Sequence, residues 1–158
     1  MFSLIAAVGK NREIGKNNSL IFHIKEDMEF FRNITLGHKV VMGRKTWESL
    51  PKKLKGRENF VISHRNFSGP DLIINDIKDF IKKNRSTPEE IFIIGGGQIY
   101  TEFLPYAKNL YLTEVDALEP TATTFFPDYN QKVYSRQIIK QNTSDNLSYS
   151  IVKYTKNN

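Results

Sequence analysis

The most unusual chemical group in this sequence is Asp27, an acid that falls among apolar side chains in a predicted helix. The segment Lys25–Thr35 has the spacing of an amphipathic helix. At about 100° per residue, one face collects Ile24, Met28, Phe30, Phe31 and Ile34, and the opposite face collects Lys25, Glu26, Glu29, Arg32 and Asn33. Asp27 lies on the apolar side, because residues three and four apart are neighbours on a helix. A carboxylate that faces a core is unfavourable without a partner, so Asp27 either interacts with the helix dipole in the first turn or binds a ligand.

Three predicted strands end in residues that suit phosphate groups. One strand runs into Gly43–Thr46, where a helix start and two cations favour an anion; an ordinary turn with Thr46 as the N-cap is the alternative. A second strand ends at Ser63–Arg65, whose hydroxyl and basic side chains suit a phosphate monoester. A third runs into Gly95–Gly97, and glycines let the backbone approach a pyrophosphate closely. Tyr100 occupies the third glycine position of the dinucleotide fingerprint, so this is not a standard Rossmann unit, and a simple tight turn is the alternative.

Short apolar runs alternating with helical patterns must position these residues. The predicted strands are Phe2–Val8, Lys39–Gly43, Asn59–Ser63, Asp71–Asn75, Ile91–Gly95, Asn109–Ala117, Lys132–Gln141 and Leu147–Thr155. The predicted helices are Lys25–Thr35, Thr46–Leu50, Asp76–Asn84 and Gly97–Leu104. Such uniformly apolar strands belong in a mostly parallel sheet with helices on both faces. The last two strands, joined by a polar turn, form an antiparallel pair, so the fold class is α/β with a β-rich C-terminal edge.

Composition narrows the function classes. The chain has 158 residues, enough for one domain with a sizeable core, and it contains no cysteine, which excludes disulfides and thiolate metal sites. The apolar N-terminus lacks a basic region and is expected to be a buried strand rather than a signal peptide. A net charge of +6 favours anionic partners or simply a solubilising surface. The histidines, His23, His38 and His64, are not paired at ligand spacing, so we expect no metal site.

Several motifs together resemble bacterial dihydrofolate reductase. They are "SLIAAVGKNREIGKNNSL", Asp27 in its helix, "VVMGRKTWESL", "LKGRENFVIS", "IFIIGGGQIYTEFLP", "LYLTEVDA" and "TFFPDY", in order and with the family's spacing. The resemblance implies an eight-stranded, mostly parallel central sheet with an antiparallel C-terminal strand, flanked by four helices. It also implies a single domain over residues 1–158, with an adenosine-binding subdomain at about 38–88 and a loop subdomain formed by the remainder.

The resemblance implies a reaction and a set of site residues. NADPH would deliver a hydride to C6 of 7,8-dihydrofolate while N5 gains a proton. The catalytic residues would be Asp27, Phe22, Tyr100 and Thr113. The substrate would contact Ile5, Ala6, Ala7, Asp27, Met28, Phe31, Arg32, Ser49, Leu50, Lys52, Leu54, Arg57, Ile94 and Thr113. NADPH would contact Ala7, Ile14, Gly15, Asn18, Ser19, Leu20, Gly43, Arg44, Lys45, Thr46, Ile62, Ser63, His64, Arg65, Ile94, Gly95, Gly96, Gly97, Gln98, Ile99, Tyr100 and Thr124.

Particular roles follow from the same resemblance. Asp27 would bind the pterin ring nitrogen and 2-amino group, with Thr113 connected to the acid. Arg57 would clamp the glutamate α-carboxylate, a task suited to a planar bidentate fork. Arg44 or Arg65 would lie near the 2′-phosphate of NADPH. The Gly95–Gly96 peptide would be cis, and residues 9–24 would form a mobile loop over the nicotinamide.

Two departures from the family pattern are relevant to the site. Ile21-Phe22 replaces a common Pro-Trp, and Phe22 cannot donate the indole hydrogen bond to the water network near the pterin. Thr123 stands where the family has an acid that helps latch the mobile loop closed, which puts the loop dynamics in question. Neither change removes a residue that the chemistry needs.

The expected partners are dihydrofolate and antifolate inhibitors, with no nucleic acid and no membrane, and we expect a monomer in the cytoplasm. Two other functions are compatible with parts of the sequence. A riboflavin-pathway reductase shares the architecture and uses NADPH, but Asp27 with Arg57 favours a pterin that carries a glutamate tail. A non-catalytic basic module for RNA or nucleotides is permitted by the charge, but the basic residues do not cluster on one element with exposed aromatic side chains.

Overall fold

The computed structural model describes residues 1–17 and 19–158, and within these residues the chain forms eleven strands and four α-helices. The strands are β1 (Phe2–Val8), β2 (Glu13–Lys16), β3 (Ser19–Leu20), β4 (Lys39–Gly43), β5 (Glu58–Ile62), β6 (Leu72–Ile74), β7 (Ile91–Ile93), β8 (Ala107–Val115), β9 (Thr124–Phe125), β10 (Tyr134–Ser144) and β11 (Leu147–Lys156). The α-helices are α1 (Lys25–Thr35), α2 (Arg44–Ser49), α3 (Ile77–Asn84) and α4 (Gly97–Phe103), and 3-10 helices occupy Leu104–Tyr106 and Gln131–Val133.

The central sheet has the predicted architecture. Its strand order is β10-β11-β8-β1-β7-β4-β5-β6. The strands from β8 to β6 pair in parallel, and β11 runs antiparallel to both of its neighbours. The prediction of an eight-stranded, mostly parallel sheet with an antiparallel final strand and four helices is therefore confirmed.

Alternation along the strands separates the core into two layers. On β1, Leu4 points into the layer covered by α3 and α4, whereas the next residue, Ile5, points into the layer covered by α1 and α2. On β4, Val41 lies in the layer covered by α3 and α4, and Met42 lies in the layer covered by α1 and α2. A sheet with helices on both faces needs strands that are apolar at every position, which is the pattern the sequence has.

Some predicted boundaries were wrong. Helix α2 begins at Arg44 rather than Thr46, so Thr46 lies inside the first turn and the alternative in which it caps the helix is excluded. Strand β7 ends at Ile93 rather than Gly95. The segment 9–24, expected to form a mobile loop, contains the short strands β2 and β3, which were not predicted and which form a second, three-stranded sheet with β9. Strands of two to four residues are too short for their periodicity to be seen.

The helical projection of α1 was right for most residues but wrong for two. The helix has the predicted bounds Lys25–Thr35, and Phe30, Phe31 and Ile34 pack against the core. Met28 does not belong to the buried face, because 57% of it is exposed. Glu26 does not belong to the solvated face, because its side chain is only 25% exposed and makes specific contacts with the C-terminal hairpin.

The β10–β11 hairpin is antiparallel, as predicted, but β10 continues to Ser144 and the turn has two residues rather than the five of the predicted polar turn 142–146. Ser144 pairs with Leu147, which leaves Asp145 and Asn146 at the tip with φ of 49° and 66°. Positive φ at both positions is typical of a type I′ turn, and Asp and Asn tolerate this conformation better than most residues.

Candidate active site

The Asp27 carboxylate lies in the first turn of α1, against the sheet. The hydroxyl of Thr113, a buried residue on β8, donates a hydrogen bond to Asp27 Oδ1, so the predicted link between these two residues is present. Burial raises the pKa of Asp27, and the hydrogen bond from Thr113 partly opposes this rise. The site therefore holds a carboxylate that is poorly solvated and has one protein donor, which leaves its second oxygen suited to a ligand that donates hydrogen bonds.

Tyr100 on α4 lies close to this acid, and its hydroxyl hydrogen is already used in a hydrogen bond to the backbone. Its hydroxyl donates to the backbone oxygen of Ile5 at 2.6 Å, and its side chain is buried. Burial, with a further contribution from the Asp27 charge, raises the pKa of Tyr100. Gly95 adjoins the ring: its φ of +123° favours glycine, and a Cβ there would lie 3.3 Å from the Tyr100 hydroxyl. Tyr100 stays protonated and fixes the end of α4 against β1.

Predicted substrate residues share one apolar cluster beside Asp27. This cluster, on the α1 side of the sheet, includes Ile5, Phe31, Leu50, Leu54 and Ile94. Exposed Met28 is not part of it, so a contact of Met28 with substrate stays a prediction. Phe22 packs elsewhere, against a buried cluster formed by Ile24 with residues of β8 and β11. Ala7 pairs with Thr113 across β1 and β8, next to the acid's partner, whereas Ala6 packs on the opposite layer.

The guanidinium of Arg57 is held at the far end of this apolar cluster. It donates to the backbone oxygen of Lys55 at 3.0 Å and to the hydroxyl of Thr35 at 3.2 Å, and it lies 6.0 Å from the centre of the Phe31 ring. Burial, and then the neighbouring charge of Arg32, lower the pKa of Arg57. Both acceptors are neutral, so the positive charge is oriented but not offset by them. Ser49 and Lys52 are exposed nearby in sequence.

The three phosphate-suited strand ends are neighbours. Strand β4 lies between β7 and β5, so their carboxyl ends share one edge of the sheet. The N–H of Gly43 donates to the oxygen of Gly95 at 2.8 Å, which joins the turn before α2 to the turn before α4. A Cβ on Gly43 would lie 3.1 Å from the side chain of Ile99. The Gly95–Gly96 peptide is cis, as expected.

The end of β5 is shaped by local hydrogen bonds. Ser63 is buried, its hydroxyl accepts from the N–H of Arg65 at 3.1 Å, and its backbone oxygen accepts from Asn75 at 2.8 Å. Arg65 and His64 are exposed, and Ile62 is the last residue of the strand. Arg44 on α2 lies 5.8 Å from the ring of Phe67 and 3.3 Å from Glu48. The predicted phosphate-binding side chains thus lie at one sheet edge, with Lys45 and Gln98 exposed and Thr46 half-buried.

The small sheet brings three further predicted cofactor residues together. Gly15 on β2 pairs with Thr124 on β9, and a Cβ on Gly97 would lie 2.8 Å from Thr124 Cγ2. Ile14 is buried in the same core cluster as Ile99 and Tyr100 of α4. Ser19 and Leu20 are exposed on β3, and the predicted contact at Asn18 lies outside the described residues.

Thr123, at the position where the resemblance leads us to expect an acid, is joined to the segment 9–24 by hydrogen bonds between neutral groups. The backbone N–H of Asn17 donates to the Thr123 hydroxyl at 3.1 Å, and the N–H of Thr123 donates to the oxygen of Gly15 at 3.0 Å. A hydroxyl therefore accepts the hydrogen bond that a carboxylate would accept more strongly.

A second buried acid, Glu13, has no distinguishing sequence pattern and joins the segment around Asn11 to the loop that contains Glu119. Glu13 is 1% exposed, and its carboxylate accepts hydrogen bonds from the N–H of Asn11 and from the N–H of Glu119, both at 2.6 Å. A Cβ on Gly9 would lie 2.6 Å from Glu13 Oε1, so the close approach depends on glycine. Glu13 has charged and polar residues around it in sequence, and its partner Glu119 is 106 residues away, so no local pattern distinguishes it from a surface acid.

Glu13→Gln should destabilise this junction. The amide oxygen of glutamine can replace one carboxylate oxygen, but its NH₂ group faces the second backbone N–H, and two donors cannot form a hydrogen bond. A buried donor left without an acceptor costs about 1–3 kcal/mol. We expect the urea midpoint to fall and the exchange of the Asn11 and Glu119 amide hydrogens to accelerate. Glu102→Gln, at an exposed position of α4, is the control and should change neither measurement. Unchanged exchange at both amides in Glu13→Gln would contradict this role.

Two features of the described residues are relevant to the other function classes. Residues 1–17 and 19–158 contain no helix long and apolar enough to cross a membrane. In the same part of the chain, no group of three or more His, Asp or Glu side chains is arranged to hold a metal ion.

Comparison with known proteins identifies the family. The family model described as dihydrofolate reductase matches residues 1–156. The chain is 36% identical to dihydrofolate reductase of Bacillus subtilis over 167 positions, which cover 100% of this chain and 96% of that protein. It is 42% identical to dihydrofolate reductase type 3 of Salmonella typhimurium, over 82% of this chain and 80% of that protein. It is also 39% identical to dihydrofolate reductase of Haemophilus influenzae, over 82% of this chain and 80% of that protein. The chain therefore belongs to the dihydrofolate reductase family, as an oxidoreductase that reduces dihydrofolate with a nicotinamide cofactor.

Proposed function

We propose that this enzyme uses NADPH to reduce 7,8-dihydrofolate to 5,6,7,8-tetrahydrofolate, with the hydride going to C6 and a proton to N5. The observation that carries the proposal is the partly buried carboxylate of Asp27, which Thr113 holds against the sheet. A pterin presents a ring N–H and a 2-amino group side by side, and a carboxylate with two oxygens accepts from both. Asp27 is therefore the group that orients the pterin.

Asp27 also prepares the substrate for protonation. In its ionised form it stabilises positive charge on the pterin, which makes N5 more basic, and the proton reaches N5 through water. Burial raises the pKa of Asp27, and donors from the pterin would lower it again, so binding favours the ionised form. Tyr100 does not donate this proton, because its hydroxyl hydrogen is used by the backbone oxygen of Ile5 and its pKa is raised. Its role is to fix α4 beside the reacting ring.

The edge formed by β7, β4 and β5 fits the cofactor. The close packing of the turns at this edge requires glycine. A Cβ on Gly43 would lie 3.1 Å from Ile99, and a Cβ on Gly97 would lie 2.8 Å from Thr124. The turns before α2 and α4 therefore lie close together, with basic residues alongside, as a pyrophosphate requires. When bound, NADPH would supply the hydride. Most of residues 38–88 form this end of the sheet, which supports the proposal that they are the adenosine-binding subdomain.

The remaining assignments follow the shape of the apolar cluster. Ile5, Phe31 and Leu54 would contact the middle of the substrate, and Arg57, oriented by Thr35, would bind the α-carboxylate of its glutamate. We also propose that the enzyme is a monomer, is located in the cytoplasm and has no nucleic-acid partner. Size-exclusion chromatography tests the oligomeric state. Antifolates such as methotrexate would compete with substrate for the same site.

A spectrophotometric assay tests this function directly. The near-ultraviolet absorbance of NADPH should fall only when 7,8-dihydrofolate is present, and methotrexate should stop the change. An enzyme that leaves dihydrofolate untouched but reduces a ribosylaminopyrimidine would belong to the alternative, riboflavin-pathway reaction. Salt-sensitive RNA binding without any reductase activity would instead support the non-catalytic alternative.

The preference for NADPH over NADH tests the phosphate assignment. At least one of Arg44→Gln and Arg65→Gln should raise the KM for NADPH roughly ten- to a hundred-fold, since a lost hydrogen bond to a charged group costs about 1.5–3 kcal/mol. The KM for NADH, which lacks the 2′-phosphate, should hardly change. Lys83→Gln on α3 is the matched control, because this exposed cation lies outside the proposed site. Equal rises in both KM values would place these arginines away from the 2′-phosphate.

A further inference from the structure

Two consecutive residues of α1 are bound by two neighbouring strands. Asp27 accepts from Thr113 on β8, and Glu26 Oε1 accepts from the hydroxyl of Tyr149 on β11 at 2.5 Å. The second carboxylate oxygen of Glu26 lies 2.8 Å from Lys140 Nζ on β10. The first turn of the helix that carries the acid is therefore attached to β8, β11 and β10 by side chains alone.

These attachments add to the packing of Ile24 at this end of the helix, where the first turn lacks a side-chain cap. Its N-cap is Ile24, which has no side-chain group to cap the free N–H groups of the first turn. Strand register places the two anchors close together, since Thr113 pairs with Ile151 and Val115 pairs with Tyr149. Ile24, Val115, Tyr149 and Ile151 share one buried cluster, so the Tyr149 ring also packs beneath the helix start.

The charges around Asp27 come from several elements. Tyr100 faces it from α4 and Tyr149 from β11, and the Asp27 charge contributes to the raised pKa of both phenols. Burial, and then Glu26, raise the pKa of Tyr149 to about 12, so this phenol remains a donor at neutral pH. Lys140 and then Tyr149 lower the pKa of Glu26, which keeps it ionised, and Lys140 offsets its negative charge beside Asp27.

We propose that Glu26, held by Tyr149 and Lys140, is a positioning residue that sets the depth and direction of the Asp27 carboxylate. This inference rests on the proposed function of Asp27. Without the Glu26–Tyr149 contact, the uncapped first turn loosens, water reaches Asp27, and the carboxylate no longer meets both pterin donors. A displacement of about 1 Å from productive geometry can cost up to about 10²-fold in rate.

The same strand offers a closely matched control. Tyr154 is also buried on β11, its hydroxyl donates to Glu114 at 2.5 Å, and Glu114 lies 2.6 Å from Arg136 on β10. This second tyrosine, acid and cation reproduce the chemistry of the first set, with Glu114 on β8 rather than on α1. Tyr154 packs in the opposite core layer from α1, so its loss should affect stability without affecting Asp27.

The test compares Tyr149→Phe and Glu26→Gln with Tyr154→Phe. Carbon-13 NMR of the Asp27 carboxyl in the ligand-free protein measures its titration, and steady-state kinetics give kcat and KM across pH. We expect Tyr149→Phe to move the Asp27 titration down toward the ordinary aspartate range, to lower kcat by up to about 10²-fold and to shift the pH profile. Glu26→Gln can still accept from Tyr149 but loses the attraction of Lys140, so its changes should have the same sign and be smaller. Tyr154→Phe should lower the Tm by a similar amount and leave the titration and pH profile unchanged.

The outcomes separate the two proposals. An Asp27 titration in Tyr149→Phe that stays in place, moves upward, or moves equally in Tyr154→Phe would overturn the positioning role, whatever the activity. If Tyr149→Phe does not fold, Lys140→Met decides instead: a loosened first turn moves the Asp27 titration down, whereas loss of the cation alone would move it up and would overturn the positioning role. Absence of dihydrofolate-dependent NADPH oxidation in the unmodified enzyme would instead overturn the proposed function, and the NMR titration would still report whether Tyr149 and Glu26 position the acid.

Discussion

Asp27→Asn should lower kcat/KM for dihydrofolate by about 10²–10³-fold near neutral pH, the loss that follows removal of one preorganised electrostatic group. Asparagine keeps the size of the side chain and can still accept from Thr113, but it cannot stabilise positive charge on the pterin. The loss should shrink as the pH falls, because a substrate that is already protonated in solution no longer needs the carboxylate.

A pH–rate profile of the variant against the unmodified enzyme measures this effect. Glu29→Gln is the control, since this acid lies exposed on the same helix two residues away. A deficit of constant size from acidic to neutral pH would contradict the proposed role of Asp27, even if the deficit were large.

The same substitution should stabilise the protein at neutral pH. Burial raises the pKa of Asp27 in the folded state, so ionisation of this group disfavours folding. The stability linked to the group is therefore fully present below its unfolded pKa of about 3.9 and is lost as the pH rises through the higher folded value. Asp27→Asn should have the higher Tm at neutral pH, and the difference should narrow in acid. A lower Tm for the variant at neutral pH would show that other contacts outweigh the burial of the charge.

Arg57→Leu should raise the KM for dihydrofolate roughly ten- to a hundred-fold while changing kcat little. The guanidinium is oriented by Lys55 and Thr35, whose acceptors are neutral, and a hydrogen bond to a charged group contributes about 1.5–3 kcal/mol. Binding that is equal in the ground and transition states appears in KM rather than in kcat. Leucine keeps apolar packing against Phe31, so the variant tests the charge rather than the fold.

A substrate without the glutamate makes this test specific. Dihydropteroate lacks the α-carboxylate, so Arg57→Leu should affect its KM little if the clamp is correct. Lys55→Gln, which removes a neighbouring exposed cation, controls for the general positive field. An equal loss with both substrates would mean that Arg57 acts through structure or through the field, not through the tail carboxylate.

The parts of the fold with a strong local pattern could be predicted from sequence. Helix α1 and strands β1 and β4 have the predicted bounds, because their apolar periodicity is uninterrupted. Strand β7 was predicted two residues too long, since Gly95 adopts a φ of +123° that ends the extended backbone. The strands β2, β3 and β9 exist only because the loops meet in space, which no local pattern records.

Some residues of the candidate site could likewise be predicted from local sequence patterns, and others could not. The unusual position of Asp27 could be seen from helical spacing alone, and its link to Thr113 followed from the family resemblance. Glu13 and Glu26 could not be distinguished from surface acids, because their partners Glu119 and Tyr149 lie 106 and 123 residues away in sequence. Such contacts depend on the tertiary fold, which brings together side chains far apart in sequence.

The position of β11 in the sheet has a consequence for biosynthesis. This strand is made after the other ten, yet it lies between β10 and β8 and covers the flank of the strand that carries Thr113. Until the C-terminal hairpin leaves the ribosome, the nascent chain presents the open edge of β8, and an open edge is a template for pairing with other chains. The longer the chain remains without this hairpin, the more of the newly made enzyme we expect to aggregate through the edge of β8.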